Sequence, residues 1–189
     1  MSALNCKEHV GSKVADNRQT RGSRTDSQHA TNPPPVFDEL DSTQCHIILD
    51  RNRVGRLAYS FHDQVDIAPV HYVRRGSWLY GRMEPGTKLT TLTRSPWVAV
   101  EVDEIEGLFE WRSVVVHGAF YHLTPGGTTY DVNAWETGIE ALCELIPTTF
   151  LRSDPIPFRT VMFRISIDRL SGRSARRESS RSSSRDGVA

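Results

Sequence analysis

Apolar and polar residues alternate along most of the middle of the chain, which is typical of β-strands with one buried face. In WVAVEVDEI, for example, Val98, Val100 and Val102 share one face and acidic residues occupy the other. Gly118 interrupts a later strand and predicts a bulge or a close backbone approach. The alternation predicts six strands, near residues 54–60, 65–73, 77–83, 97–104, 111–123 and 158–169.

Three stretches have helical periodicity instead. LDSTQCHIILDRN predicts a short helix that begins at Asp41 or Ser42 and buries Ile47 and Ile48. GTKLTTLTRS is the second, and the third runs from about Tyr130 to Leu145 with apolar residues at helical spacing. Short turns join the first three strands without a helix between them, which argues against a doubly wound parallel sheet. The sequence therefore predicts a mainly β fold, an antiparallel six-stranded barrel with a few helices at its ends.

The two ends of the chain differ from the middle in composition. The N-terminal part is polar, has no apolar period and finishes in NPPP, and the C-terminal part is rich in Ser and Arg. Such segments bury too little apolar surface to order themselves. We predict a disordered N-terminal tail over residues 1–35, a folded domain over residues 36–172 and a disordered C-terminal tail over residues 173–189.

Charge and cysteine content narrow the class of protein. The chain has 23 Lys+Arg and 23 Asp+Glu, so no overall positive field points to nucleic acid as a partner. The longest apolar runs are strand-sized and far shorter than the roughly 20 residues of a membrane span. Three cysteines form no C-x-x-C pair, and no cluster has the spacing of a metal site. We therefore expect a reduced, cytoplasmic protein without membrane, nucleic acid or metal.

The segment GRMEPGTK, residues 81–88, has the spacing of a phosphate-binding P-loop, but Thr87 precedes Lys88 where the motif requires the opposite order. A P-loop also follows a buried parallel strand, which the predicted fold lacks. A phosphate site of another design fits these residues. A helix that starts at Gly86 offers free N–H groups, Lys88 supplies a positive charge, and Arg82 supplies a planar guanidinium fork. A turn followed by an ordinary helix explains the same residues equally well.

The order of the elements resembles the pyridoxamine 5'-phosphate oxidase-like, FMN-binding split-barrel superfamily, and is closest to its nitroimidazole-resistance branch. The resemblance covers about residues 38 to 173 and includes the terminal FRISIDRLSGR. It rests on five short motifs in the same order: VGRLA, PVHY, GTKL, VEVD and WRSVVVHG. It implies an FMN-binding split barrel that forms a homodimer with the cofactor at the subunit interface.

The resemblance also implies which residues contact the cofactor. The FMN phosphate is expected at Arg82, Thr87 and Lys88. The ring system is expected against the backbone of Ala68, Pro69, Val70 and His71.

Four further positions complete the implied cofactor site. Tyr80 and Gly81 match positions that line the ribityl chain and the ring. Trp111 and Ser113 match a strand that, in the family, helps to close the site from the partner subunit.

His71 is the candidate catalytic residue, because imidazole titrates near neutral pH and this strand lies beside the expected flavin ring. A packed, hydrogen-bonded histidine explains the same position equally well. The chain lacks the Arg/His substrate-phosphate motif and the RLxP terminus of pyridoxamine phosphate oxidase itself, which argues against vitamin B6 oxidation. The resemblance implies an FMN-dependent oxidoreductase acting on an unidentified small molecule. A non-catalytic protein that binds flavin, deazaflavin or haem is the alternative.

Overall fold

The structure, a computed structural model, describes residues 34–61 and 64–178. Most of the two predicted tails, residues 1–33 and 179–189, lies outside this range. No helix in the described part is long and apolar enough to cross a membrane. The elements in chain order are β1 (Pro35–Leu40), α1 (Ser42–Arg51), β2 (Val54–Phe61), β3 (Gln64–Arg75), β4 (Trp78–Met83), α2 (Thr87–Arg94), β5 (Trp97–Gly107), β6 (Glu110–Leu123), α3 (Thr129–Leu145), β7 (Val161–Ser166) and β8 (Arg169–Arg177).

All strand pairings in the described residues are antiparallel, and six strands close a ring. The strand order is β1-β8-β6-β5-β2-β3-β4-β7, and β7 also pairs with β6. The ring therefore consists of β2 to β7, which are the six strands that alternation predicts. The predicted mainly β fold, an antiparallel six-stranded split barrel, is confirmed.

Two strands outside the ring correct the predicted domain boundaries. β8 pairs with β6, and β1 pairs with β8 at the edge of the sheet. Residues 173–177, which the composition assigns to a disordered tail, are therefore part of a strand, and Arg176 donates to Asp38 of β1 at 3.1 Å. Much of β8 is exposed and few of its residues are apolar. Its sequence therefore lacks the alternation of apolar and polar residues that would have predicted a strand.

The strand β6 belongs to both halves of the barrel. It pairs with β8 from Trp111 to His117 and with β7 from Phe120 to Leu123. The change of partner occurs at Gly118, where an added Cβ would lie only 1.7 Å from the carbonyl oxygen of Ser166. The close backbone approach that Gly118 predicts is confirmed.

The core has two parts. The barrel interior holds buried side chains such as Leu57, Val100 and Phe163, while a second cluster lies between α3 and the outer face of β4 and β7. α3 comes close to the sheet because its most buried positions are mainly small residues: Ala134, Gly138, Ala141 and Leu142. In α1 the cap is Asp41 and Ile48 is buried as predicted, but Ile47 is 53% exposed, because the buried stripe of this helix runs through Cys45, Ile48 and Leu49.

Candidate functional site

The first turn of α2 presents backbone N–H groups next to a lysine. β4 ends at Met83, and a short bend leads to Gly86, the residue that caps α2. Because glycine has no side chain, Gly86 makes no side-chain capping hydrogen bond to the first turn. Lys88 forms no ion pair with any described carboxylate. Within the described part of the chain, this turn is therefore a positive surface without a paired acid, which suits an anion.

A groove of about 430 Å³ separates this turn from the β2–β3 hairpin. From Gln64 to Val70, β3 pairs only with β2, and its pairing with β4 begins at Tyr72. The second hydrogen-bonding edge of β3 is consequently open beside the groove. The structure thus brings Thr87 and Lys88 to the first residues of this edge, Gln64 to Asp66, while Ala68, Pro69 and Val70 lie farther along it and do not line the groove. The residues that line the groove are Tyr59, Phe61, Gln64, Val65, Asp66, Thr87, Lys88 and Thr91.

The groove also contains a carboxylate, that of Asp66. It accepts hydrogen bonds from the Tyr59 hydroxyl at 2.8 Å and from the backbone N–H of Ile67 at 2.9 Å. Burial, and then the hydrogen bond to Asp66, raises the pKa of Tyr59 to about 12. Tyr59 therefore stays a neutral donor that holds the carboxylate, and an anion in this groove is favoured only at the Lys88 end.

Arg82 lies outside the groove and is committed to another partner. Its guanidinium is 3% exposed and forms a bidentate ion pair with Asp154, with Nη2 to Oδ1 at 2.7 Å. Asp154 also accepts the backbone N–H groups of Phe150 and Ile156, at 2.9 and 3.0 Å. These contacts, above all the hydrogen bond from Arg82, hold the pKa of Asp154 well below its usual range. A phosphate would have to displace Asp154 before it could bind Arg82.

His71 lies half-buried on β3 and contacts the same segment between α3 and β7. Its Nδ1 is 3.3 Å from Nη1 of Arg159. Burial lowers the pKa of His71, and the positive charges of Arg159 and Arg82 lower it further. The imidazole is therefore neutral at pH 7.

Tyr80 and Gly81 occupy buried positions in the sheet. Tyr80 lies under α3, in the second core cluster. A Cβ at Gly81 would lie 2.4 Å from the ring of Phe163 and 2.7 Å from the carbonyl oxygen of His71. Both residues therefore make packing contacts in this chain and support the strand that carries Arg82.

Trp111 and Ser113 lie on β6, three strand spacings from β3 across β2 and β5. That separation is about 14 Å at the usual spacing of paired strands. Ser113 donates to Glu101 at 3.1 Å, and the Trp111 ring lies 6.2 Å from that of Phe37. A single chain therefore does not bring these two residues to the Lys88 groove.

Sequence reasoning missed Asp154 and Arg159. Both belong to the irregular segment between α3 and β7, where the sequence reads PTTFLRSDPIPFR. The strand predicted near residues 158–169 includes Arg159, but β7 begins only at Val161. Their partners, Arg82 and His71, lie 72 and 88 residues earlier in the chain. No local signal in the sequence identifies such contacts.

A family model described as pyridoxamine 5'-phosphate oxidase matches residues 41–174. The match includes all six strands of the ring and spans more than half of the chain. The chain belongs to the pyridoxamine 5'-phosphate oxidase family. Membership in this family accounts for the ring of antiparallel strands with an open edge on β3.

Individual relatives of this family agree with the fold. An FAD-binding protein of Mesorhizobium loti is 30% identical, with a TM-score of 0.61, over 73% of this chain and 97% of that one. An uncharacterized protein of Rhizobium meliloti is 28% identical over 146 residues, which is 72% of this chain and 93% of that protein. A candidate 5-nitroimidazole antibiotic resistance protein of Bacteroides thetaiotaomicron shares the fold at 14% identity, with a TM-score of 0.56, over 75% of this chain and 89% of that one.

Proposed function

We propose that this protein binds FMN with the phosphate at the first turn of α2, and that it is a flavin-dependent oxidoreductase acting on a small molecule. The observation that carries the proposal is the groove in which an uncapped helix start faces the open edge of β3, together with Lys88, which pairs with no acid among the described residues. The Mesorhizobium loti relative, described as FAD-binding, supports a flavin in particular.

The phosphate end of the groove combines three kinds of donor. The backbone N–H groups of the first turn point out of the helix start, the Thr87 hydroxyl can donate, and Lys88 supplies a full positive charge. A charge-assisted hydrogen bond of this kind contributes about 1.5–3 kcal/mol. Arg82 has no part in this arrangement unless Asp154 is displaced.

The remaining part of the proposed site holds and orients the ring. A bound flavin supplies the redox chemistry, and the protein supplies position and electrostatics. The open edge of β3 at Ala68, Pro69 and Val70 offers backbone groups for the polar atoms of a flat ring. His71, neutral and half-buried at the end of this edge, is the residue that we propose to hold or donate a proton there.

We also propose that the protein is a homodimer in the cytoplasm. Neither Trp111 nor Ser113 is among the residues that line the groove, and we propose that they contact the flavin of a second copy. Val65 and Trp97 are 73% and 70% exposed, and exposed apolar side chains of this size favour burial against another subunit. The described cysteines are free thiols, which supports a reducing compartment.

Fluorescence-quenching titrations with FMN and riboflavin test the phosphate site. Lys88→Ala should weaken FMN by roughly ten- to hundredfold, since each 1.4 kcal/mol is tenfold, and should leave riboflavin almost unchanged. Arg94→Ala, which removes an exposed cation from the other end of α2, is the matched control and should change neither ligand. Equal weakening of both ligands would indicate damage to the fold, and unchanged FMN affinity would remove the phosphate from this turn.

The absorption spectrum of the purified protein tests the cofactor and turnover. Flavin bands that bleach with a nicotinamide donor and return with an acceptor support the oxidoreductase. Flavin bands that no donor bleaches support a flavin-binding protein without turnover. A Soret band would show that the cofactor is haem instead of flavin, and a deazaflavin spectrum would show that it is deazaflavin.

A further inference from the structure

The segment between α3 and β7, residues 146–160, brings Asp154 and Arg159 to the face of β3 and β4 that carries Arg82 and His71. Asp154 binds Arg82 through both carboxylate oxygens, and the Phe150 ring lies 5.3 Å from the Arg82 guanidinium. Asp154 also accepts two backbone N–H groups. With these four bonds its oxygens are occupied, so Asp154 neutralises Arg82 and has no capacity for a second arginine.

Arg159 is the second arginine of this cluster. It forms no ion pair with any described acid, and its one side-chain hydrogen bond is the 3.3 Å contact from Nη1 to Nδ1 of His71. Its guanidinium lies 6.0 Å from the ring of Phe158. A guanidinium has five N–H donors, so four of them have no side-chain acceptor in the described chain.

The contact with Arg159 also determines how His71 carries its proton. An arginine in a protein only donates, so Nδ1 of His71 must accept, and the ring proton is on Nε2. Nε2 has no hydrogen-bond partner in the described residues and is not shut off from solvent. Arg159 therefore presents its remaining N–H donors and a positive charge that no described carboxylate neutralises.

We infer that Arg159, oriented by His71, forms a binding edge for an oxyanion, and that this oxyanion is a carboxylate of the substrate. The guanidinium fork matches the two oxygens of a carboxylate. His71 accepts from Arg159 through Nδ1 and so orients the guanidinium, while its Nε2–H points to the other side of the ring. The place of the substrate beside the redox centre rests on the flavin function proposed above. The phosphate of the cofactor has the same oxyanion chemistry, and the experiment separates these two sources.

The test uses the full-length chain, labelled with 15N, and two flat probes that differ in charge. Benzoate and benzamide are titrated while the His71 ring resonances are followed by NMR, with His71→Gln used to assign them. We expect benzoate to shift these resonances saturably and benzamide to leave them unchanged. Arg159→Gln should weaken benzoate at least tenfold, the scale of one charge-assisted hydrogen bond, and Arg159→Lys should recover part of the loss.

Arg152→Gln is the matched control, because Arg152 is an exposed arginine of the same segment. It should bind benzoate like the original protein. Benzoate binding that survives Arg159→Gln, or equal binding of benzamide, would overturn the inference. Urea midpoints of the variants show whether a loss of binding reflects unfolding.

Flavin titrations separate the two sources of the oxyanion. If the cofactor phosphate occupies this edge, FMN but not riboflavin will displace benzoate, and Arg159→Gln will weaken FMN alone. That result would overturn the substrate assignment. If benzoate binds through Arg159 but no flavin binds at all, the oxyanion edge stands and the proposed function fails.

Discussion

Gly118→Ala adds a single methyl group at the point where β6 passes from one half of the barrel to the other. The new Cβ would lie 1.7 Å from the carbonyl oxygen of Ser166 and 2.7 Å from its carbonyl carbon. Both are backbone atoms, so no side-chain rotation can relieve the clash. Carbon contacts are favourable at about 3.5–4.0 Å, so β6 and the end of β7 must separate by roughly 2 Å.

The cost of that separation follows from the bonds at this point. The backbone N–H of Ala119 donates to the Ser166 hydroxyl at 2.9 Å, and that of Asp168 donates to the His117 carbonyl at 3.0 Å. Each lost hydrogen bond costs about 1 kcal/mol, and overpacking of a buried site costs about 1–3 kcal/mol. We expect the free energy of unfolding to fall by about 3–5 kcal/mol, a large share of a typical 5–15 kcal/mol.

Urea denaturation followed by circular dichroism measures this loss, and a second glycine provides the control. A Cβ at Gly126 would meet no atom within 4 Å, so Gly126→Ala adds the same methyl group in open space. We expect Gly126→Ala to leave the urea midpoint unchanged or to raise it slightly, while Gly118→Ala lowers it strongly. Equal midpoints for the two variants would refute the argument that β6 and β7 are in backbone contact at Gly118.

Two further perturbations concern the charged groups around His71. Asp154→Asn should lower the urea midpoint because it leaves Arg82 buried without its carboxylate, and adding Arg82→Met should restore part of the loss. Strictly additive effects of the two substitutions would show that Arg82 and Asp154 do not interact. Arg82 holds the pKa of Asp154 below its usual range, so the contribution of the Asp154 carboxylate to the free energy of unfolding is complete above about pH 4 and is lost as the pH falls further. Asp154→Asn should therefore flatten the dependence of stability on pH in this range. Because the pKa of His71 is lowered by burial and then by Arg159, the unfolded chain binds its proton more readily, and stability should decrease as the pH falls below about 6.5. His71→Gln should remove that slope, and NMR titration should show the pKa of His71 raised in Arg159→Gln.

The ring of the barrel was predictable because each of its strands has its own apolar face. Val98, Val100 and Val102 are all buried, as alternation requires. β8 has no such face, since its buried positions are Gly172 and Ala175, and its partners lie far away in the chain. A strand whose pairing depends on distant backbone rather than on its own side chains leaves little trace in a sequence.

In the candidate site, too, the sequence predicts features that depend on neighbouring residues and misses those that depend on distant ones. Thr87 and Lys88 are recognisable because their chemistry is local to one turn and one helix start. Arg82 has the right residue type and position for a phosphate ligand, but an acid 72 residues later neutralises it. Sequence shows which side chains can bind an anion, and only the fold shows which of them are already paired.

The edge of the sheet joins the first described strand to the last, since Pro35 pairs with Arg177. During synthesis, β1 therefore leaves the ribosome long before its partner exists, and this edge is completed only after β8 has been made. Until then β1 is an unpaired strand, the kind of segment that associates with other chains, and its acidic residues Asp38 and Glu39 oppose that association. Folding that ends with so distant a pairing is slow, on the order of milliseconds to seconds for such topologies.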